Sequence, residues 1–366
     1  MKIVHTEASC GWGGQEIRIL EESKGMMERG HEVVVLCPSE SRILAEASRW
    51  SVPTQALPIG RKNFGGLLAM RRWLTTHKVD VLNTHSSTDS WLAALACATI
   101  NNPPPIVRTR HISAPVPDNA PTRWLYTKAT RHIVTTGEAL RKELSEKNGY
   151  PVAMITSVPT GIDQSRFFSG DKRQARKQLG LDIDRHYIGI VATLRSWKGH
   201  LYLLDAFAQL DAAGWTLLIV GDGPMRDVLQ SRAAELGVVD RTLFAGQQQN
   251  PEDWLRALDI FCLPSYANEG VPQALVQAMM TELPIVTTAV GGIPEIVADE
   301  KTGLVVTTRS ASALATAIQR LIAAPDLRES LGIRARKAAV ADYSRSVMLD
   351  RMAKLFYSFG IADRAI

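Results

Sequence analysis

A loop carrying one carboxylate, Glu269, and the adjacent Gly270 leads into a helical pattern that begins near Pro272. Proline is tolerated in a helix's first turn, where its missing N–H removes no intrahelical bond. The amides of such a turn can face an anion, because a helix N-terminus carries partial positive charge. Upstream, Arg195 and Lys198 stand three residues apart beside Gly199, directly after the apolar run 188–194. A guanidinium and an ammonium can together neutralise a diphosphate without a metal. Two cations beyond a strand and one acid beside a helix start suit a diphosphate attached to a polyol, which is the chemistry of a nucleotide-sugar. Against this stands the fact that many Arg-x-x-Lys pairs only decorate a solvated loop.

Other positions carry weaker signals. Gly11-Trp12-Gly13-Gly14 follows the first strand and precedes the first helix, so Gly13 and Gly14 can bring the backbone close to a ligand. This is not the Gly-x-Gly-x-x-Gly fingerprint, since the third glycine would fall at Glu16, and there is no Walker loop. Gly221 and Gly223 form a second glycine turn, before Pro224, which borders a nucleotide or is an ordinary strand-to-helix turn. His85 and His111 both come directly after strands, and His111 is favoured as a site residue because Arg108 and Arg110 lie just before it. No His/Cys pair has zinc spacing, and no aspartate pair suits a divalent cation, so no metal is expected.

These residues need a scaffold of alternating strands and helices. The pattern predicts strands over 2–5, 32–37, 81–84, 106–109 and 132–135, with helices over 15–29, 66–77, 90–99 and 122–129. A Pro/Gly/Asp break at 158–163 and the charged stretch 166–177 read as a linker. Strands resume at 187–192, 216–220, 242–245, 260–263, 285–288 and 303–306. Helices are expected over 202–210, 225–236, 251–258, 272–280, 292–298 and 311–323, and the last sixty residues read as largely helical. The expected class is α/β, with two Rossmann-like domains and a cleft between them. The first covers 1–165, the second 166–345, and residues 346–366 form a helix packing back on the first.

The 366 residues exceed what one core usually supports. Hydrophobic content of 45% and charged content of 22% are ordinary for a soluble protein. Cys10, Cys37, Cys97 and Cys262 are scattered, which suits a reducing compartment better than a disulfide framework. The N-terminus turns polar too soon for a secretory signal, and no apolar run approaches a bilayer span of about 20 residues. The expected location is the cytoplasm, with peripheral contact at the inner face of the plasma membrane left open. Residues 1–165 hold 19 Lys and Arg against 15 Asp and Glu. The excess lies at Arg61-Lys62, Arg71-Arg72, Arg108, Arg110 and 123–131. No nucleic-acid-binding motif accompanies it. An anionic membrane, an acidic acceptor and a plain solvated face all fit. The helix over 66–78 could rest on a membrane, but Leu67, Leu68, Met70, Trp73 and Leu74 are expected to be a core stripe.

With these residues in place, the chain resembles the retaining glycosyltransferases of family 4, which have the GT-B fold of two facing Rossmann-like domains. It looks closest to bacterial members that build lipopolysaccharide or other surface polysaccharides. The resemblance covers nearly the whole chain, from Gly13 and Gly14 to Tyr343. It implies that Gly13 and Gly14 lie near donor phosphate and acceptor, and that Lys198 holds the diphosphate. The family arginine position holds Thr193, so Arg195 would have to reach back. Glu269 opens the family's Glu-x7-Glu motif and would contact the donor sugar, while Gln277 replaces the second glutamate, a ribose ligand. Gly270, Val271, Pro272 and Gln273 would lie against sugar and phosphate, and His111 near the donor sugar. The resemblance further implies a transferase using a UDP-, GDP- or ADP-linked sugar as donor substrate, with no cofactor, and a glycan or lipid-linked glycan as acceptor. Rivals are an epimerase of the same fold and a silent nucleotide-sugar-binding protein. A nicotinamide oxidoreductase is disfavoured by the missing fingerprint.

Overall fold

The computed structural model describes residues 1–111, 115–267 and 269–360. Contacts divide the chain into two compact units. One comprises Met1–Gly161 together with the described residues from Ser346 onward; the other is Ile162–Arg345.

The first unit is built on a seven-stranded parallel sheet ordered β3-β2-β1-β4-β5-β6-β7. Its strands are β1 (Lys2–Thr6), β2 (Glu32–Cys37), β3 (Thr54–Ala56), β4 (Val81–Thr84), β5 (Ile106–Arg110), β6 (His132–Thr135) and β7 (Ile155–Ser157). β1 and β4 are almost wholly buried, as a parallel strand covered on both faces must be. One face is closed by the helices Phe64–Thr76 and Ser87–Cys97, which bury Met70, Trp73, Leu74 and Leu92. Each helix start is chemically marked. Asn63 accepts from the Gly66 amide, and Ser86 with Asp89 forms a capping box. The other face is closed partly by Met348, Leu349, Met352 and Phe356 of the last helix, packed on Ile3, Val81 and Val107. Gly25 allows this approach, since a Cβ there would come within 2.3 Å of Leu349.

The second unit carries a six-stranded parallel sheet ordered β10-β9-β8-β11-β12-β13. These strands are β8 (His186–Val191), β9 (Trp215–Val220), β10 (Thr242–Gly246), β11 (Ile260–Leu263), β12 (Ile285–Thr288) and β13 (Leu304–Val306). In both sheets the chain starts near the middle and winds outward both ways. A switch point therefore falls between β1 and β4 in one sheet and between β8 and β11 in the other, beyond whose carboxyl ends such folds bind ligands.

The α/β class and all of the expected strands are present. Two short strands, β3 and β7, were not anticipated, because Thr54-Gln55-Ala56 and Ile155-Thr156-Ser157 are short and largely polar, unlike the equally short but wholly apolar β13. The helices Arg42–Glu46 and Glu138–Glu146 were also missed. The stretch 166–177, expected as linker, overlaps the helix Lys172–Gln178, capped by Asp171. It is charged because its charges are used: Arg166 binds Glu252, and buried Arg176 reaches Asp259 at 2.6 Å. The basic excess of the first half is likewise not all surface. Arg108 is buried with its guanidinium 4.3 Å above the Tyr126 ring, whereas Arg61, Lys62, Arg71 and Arg72 are exposed. Met70, Trp73 and Leu74 form the expected core stripe with Leu67 beside them, while Leu68 is exposed.

Candidate functional site

In the second unit, the loops leaving β8 and β11 meet at the switch point. The β8 loop makes a tight turn over Ser196–Lys198 and ends at Gly199, whose φ of 79° places it in the left-handed region. A side chain there would also strike the Pro264 carbonyl, 2.0 Å from an ideal Cβ. The two loops are tied together by the Tyr266 amide donating to the Trp197 carbonyl at 2.9 Å. This brings Lys198 Nζ to 2.7 Å and 3.0 Å from the two oxygens of Glu269. Ser265 donates its hydroxyl to Glu269 Oε1 at 2.6 Å, and Thr288 in turn donates to the Ser265 carbonyl. Glu269 is 6% exposed, so a carboxylate is held almost out of water by one cation and one hydroxyl.

Gly291 and Gly292, after β12, form the floor of the Glu269 loop. Gly291 has φ 57°, and a Cβ there would lie 1.9 Å from the Glu269 carbonyl; at Gly292 it would lie 2.6 Å from the Gly270 carbonyl. Sequence reasoning missed both, and missed Ser265 and Thr288. Their signal was available: a Gly-Gly pair soon after a strand, and a serine directly past β11.

The remaining second-unit candidates fall as follows. Arg195 is exposed, with its guanidinium 5.8 Å from the Trp197 ring centre, and enters no ion pair among the described residues. Gly221 and Gly223 are needed for packing under the β8 loop. Their φ values are 138° and 157°, and added Cβ atoms would meet the Ala192 carbonyl at 2.0 Å and the Leu194 carbonyl at 2.8 Å. The helix after Glu269 runs Gln273–Met280, with Pro272 as its cap residue. Leu275 and Val276 already return their amides to the Pro272 carbonyl, so the anion-facing donors of that turn come before them. Gln273 and Gln277 lie one turn apart and are half-buried, while Leu275, Val276 and Ala278–Met280 are buried in the core.

The first unit contributes a separate polar cluster. Gly13 caps the helix Gly14–Glu28 with extended backbone, and a Cβ there would meet only Glu16, at 3.8 Å. Neither φ nor local packing therefore demands glycine at 13. Three adjacent strands bring together three imidazoles: His5 in β1, His85 past β4 and His111 past β5. His5 Nδ1 lies 2.9 Å from His85 Nε2, and His85 Nδ1 lies 2.9 Å from His111 Nε2. The ring centres lie 5.2 Å and 5.1 Å apart, with the planes at 20° and 32° to each other. His5 was not anticipated, because nothing local separates it from any other strand residue. Burial holds all three below the usual histidine range, His5 at about 3, with Arg18 adding to the effect. Beside them, burial and the Asp89 charge push the Glu7 carboxyl up to about 8. Among the described residues no group of three or more His, Cys, Asp or Glu could hold a metal ion, and no helix is long and apolar enough to cross a membrane. Residues 112–114 and Asn268, which flank His111 and Glu269, lie outside the described residues.

The chain is similar to known proteins along most of its length. Residues 12–166 match the family described as Glycosyltransferase Family 4, and residues 171–338 match Glycosyl transferases group 1. A D-inositol 3-phosphate glycosyltransferase of Mycobacteroides abscessus is 34% identical over 245 residues, covering 64% of this chain and 53% of the relative. The lipopolysaccharide core biosynthesis mannosyltransferase LpsB of Rhizobium meliloti is 36% identical over 161 residues, covering 41% of this chain and 46% of the relative. The chain thus spans about half the length of these curated relatives. Among solved structures, Anabaena HepE in complex with UDP superposes with a TM-score of 0.85 at 20% identity, covering 98% of this chain and 100% of that one. The same protein has also been solved with UDP-glucose. At that identity the likeness shows the fold.

Proposed function

Because the chain belongs to the family 4 glycosyltransferases, with the group 1 domain in its second half, we propose that it is a retaining, nucleotide-sugar-dependent transferase that glycosylates a hydroxyl of a glycan or lipid-linked glycan. Surface-polysaccharide assembly of the lipopolysaccharide type is the proposed setting, supported by the likeness to LpsB. The observation that carries the reading is the Lys198–Glu269 pair at the switch point of the second sheet. An ammonium has three N–H donors, and two are engaged by Glu269. The pairing fixes Lys198 in place and leaves a donor for a phosphate oxygen. Glu269 would accept from the donor sugar's hydroxyls, and Gln277 would exchange hydrogen bonds with the ribose. Arg195 and the amides at Gly270, Val271 and Gln273 would add charge stabilisation to the diphosphate, while Pro272 fixes the turn. Gly221 and Gly223 would act by supporting the β8 loop.

In the proposed reaction the acceptor oxygen forms a bond to the anomeric carbon on the face from which the nucleoside diphosphate departs. The anomeric carbon–phosphate oxygen bond breaks, and the departing phosphate takes the acceptor's proton. Preorganised cations at the leaving group would supply most of the rate. In the first unit, the open space beside Gly13, with Gly14 next in the chain, and the imidazole of His111 would serve the ligands. Cytoplasmic placement, with Phe64 and Leu68 beside Arg61, Lys62, Arg71 and Arg72 touching an anionic membrane, belongs to the same proposal. Phe64 is 72% exposed and Leu68 49%.

Calorimetric titration with UDP-, GDP- and ADP-sugars tests the reading, starting from uridine because HepE was solved with UDP. One nucleotide class should bind, with affinity reduced at least tenfold in Lys198→Ala and Glu269→Ala. Binding of no class, or binding indifferent to both changes, sinks it. Nucleoside diphosphate release that depends on acceptor distinguishes a transferase from a silent binder.

A further inference from the structure

The three-histidine chain has a direction that the fold itself imposes. Exposure rises along it: His5 is 0% exposed, His85 5%, and His111 half-buried. All three rings are held neutral by burial, so each carries one N–H. Two contacts inside the chain can be made in only two consistent ways. In one, each Nδ1–H donates outward, from His5 to His85 and from His85 to His111. In the other, each Nε2–H donates inward, and His5 keeps an N–H on its innermost nitrogen.

The inner end decides between them. His5 Nε2 is buried and has no hydrogen-bond partner among the described residues. Orphaned buried N–H groups are rarer in folded proteins than under-satisfied acceptors, so a lone pair is the better occupant of that position. The charged group acting on His5 is Arg18, which is fully buried, donates to the Val158 carbonyl at 2.6 Å, and offers no acceptor. Its positive charge also bears on His85 and His111. Glu22, 3.6 Å from Arg18, is the nearest counter-charge, but burial pushes its carboxyl up and weakens it in that role. The unpartnered inner nitrogen of His5 therefore selects the outward arrangement.

We propose that His5 and His85 are positioning residues that keep the proton of His111 on Nδ1, so that His111 meets its ligand as a neutral hydrogen-bond donor and not as a base. The ligand role of His111 rests on the transferase function proposed for the chain; the proton placement does not. Such a donor can polarise or anchor an oxygen of the donor sugar, and it cannot deprotonate the acceptor. That agrees with the departing phosphate taking the acceptor's proton.

The test is long-range proton–nitrogen NMR of the full chain labelled with nitrogen-15 at histidine, near pH 7.5, with signals assigned through His111→Gln and His85→Gln. The expected spectrum shows Nδ1–H tautomers for His5, His85 and His111, the form that free histidine disfavours. An Nε2–H tautomer or a cationic ring at His111 in the unmodified protein overturns the proposal, whatever the variants do. In a folded His5→Phe protein, His111 should lose its pure Nδ1–H signature, because the first donor of the chain is gone. An unchanged His111 signal in that variant overturns the positioning role. Nδ1–H tautomers in a protein that binds no nucleotide-sugar would instead refute the function and leave the proton placement intact.

Discussion

Replacing Lys198 by methionine keeps most of the side-chain volume and removes the charge that sits 2.7 Å from Glu269. Two unit charges about 3 Å apart attract by roughly 5 kcal/mol at an effective dielectric near 20. Desolvation of both groups cancels most of that gain, so the intact pair is worth little against a neutral replacement. Stranding one partner is different. Glu269 is 5% exposed at its side chain and would keep only Ser265, whereas Lys198 is 18% exposed and has a flexible stem that can carry its ammonium to water. Removing one partner of a buried pair costs about 3–5 kcal/mol. Partial exposure lowers this to about 2–4 kcal/mol for Lys198→Met and about 1–2 kcal/mol for Glu269→Gln. The double variant should cost scarcely more than Glu269→Gln alone, giving a coupling of about 2–4 kcal/mol, close to the whole cost of Lys198→Met. Urea unfolding measured by circular dichroism and tryptophan fluorescence reads these values, with the transitions of the two units fitted separately. Trp197, Trp215 and Trp254 report the second unit. A Lys198→Met cost below about 0.5 kcal/mol, or strict additivity in the double variant, would refute the claim that the pair is a desolvated unit.

Two further outcomes are expected. Gly291→Ala forces a Cβ into the Glu269 carbonyl at a positive φ, so nucleotide-sugar affinity should fall at least tenfold in calorimetry; wild-type affinity would mean that the Glu269 loop does not have to stay in place. The pH dependence of stability should have two opposing arms. Glu7, raised from 4.5 to about 8, contributes stability that is complete below pH 4.5 and is lost as pH rises through about 8. His5, lowered from 6.5 to about 3, contributes stability that is present above pH 6.5 and is lost as pH falls toward 3. Glu7→Gln should therefore gain stability over the wild type at pH 8 and show little difference at pH 4; equal urea midpoints at both pH values would contradict the raised carboxyl.

Strand and helix order was readable because parallel strands buried on both faces appear as β-branched runs. Lys198 and Glu269 were readable as chemistry for the same local reason, since a charged residue just past a strand end stands out. β3 and β7 were not, because three largely polar residues do not read as a buried run, whereas the apolar triplet of β13 does. The capping box of Ser86 and Asp89 went unread, and the helix that starts at Ser87 was expected from 90. The helix at 172–178 was mistaken for linker because its charges point to partners, Arg176 to Asp259 among them, that lie far along the chain.

Residue types and their position along the chain were enough to read the α/β class and to single out Lys198 and Glu269 as candidate chemistry. Only the tertiary structure decided that Lys198 and Glu269, 71 residues apart, bind each other, and that Gly221 and Gly223 serve a neighbouring backbone. It alone set His5, His85 and His111 in one chain. The reason is geometric: the order in which parallel strands sit side by side, β1 next to β4 and β8 next to β11, is not their order in sequence. Partners are assigned across the sheet, where a hydrogen bond spans about 3 Å and the sequence spans dozens of residues.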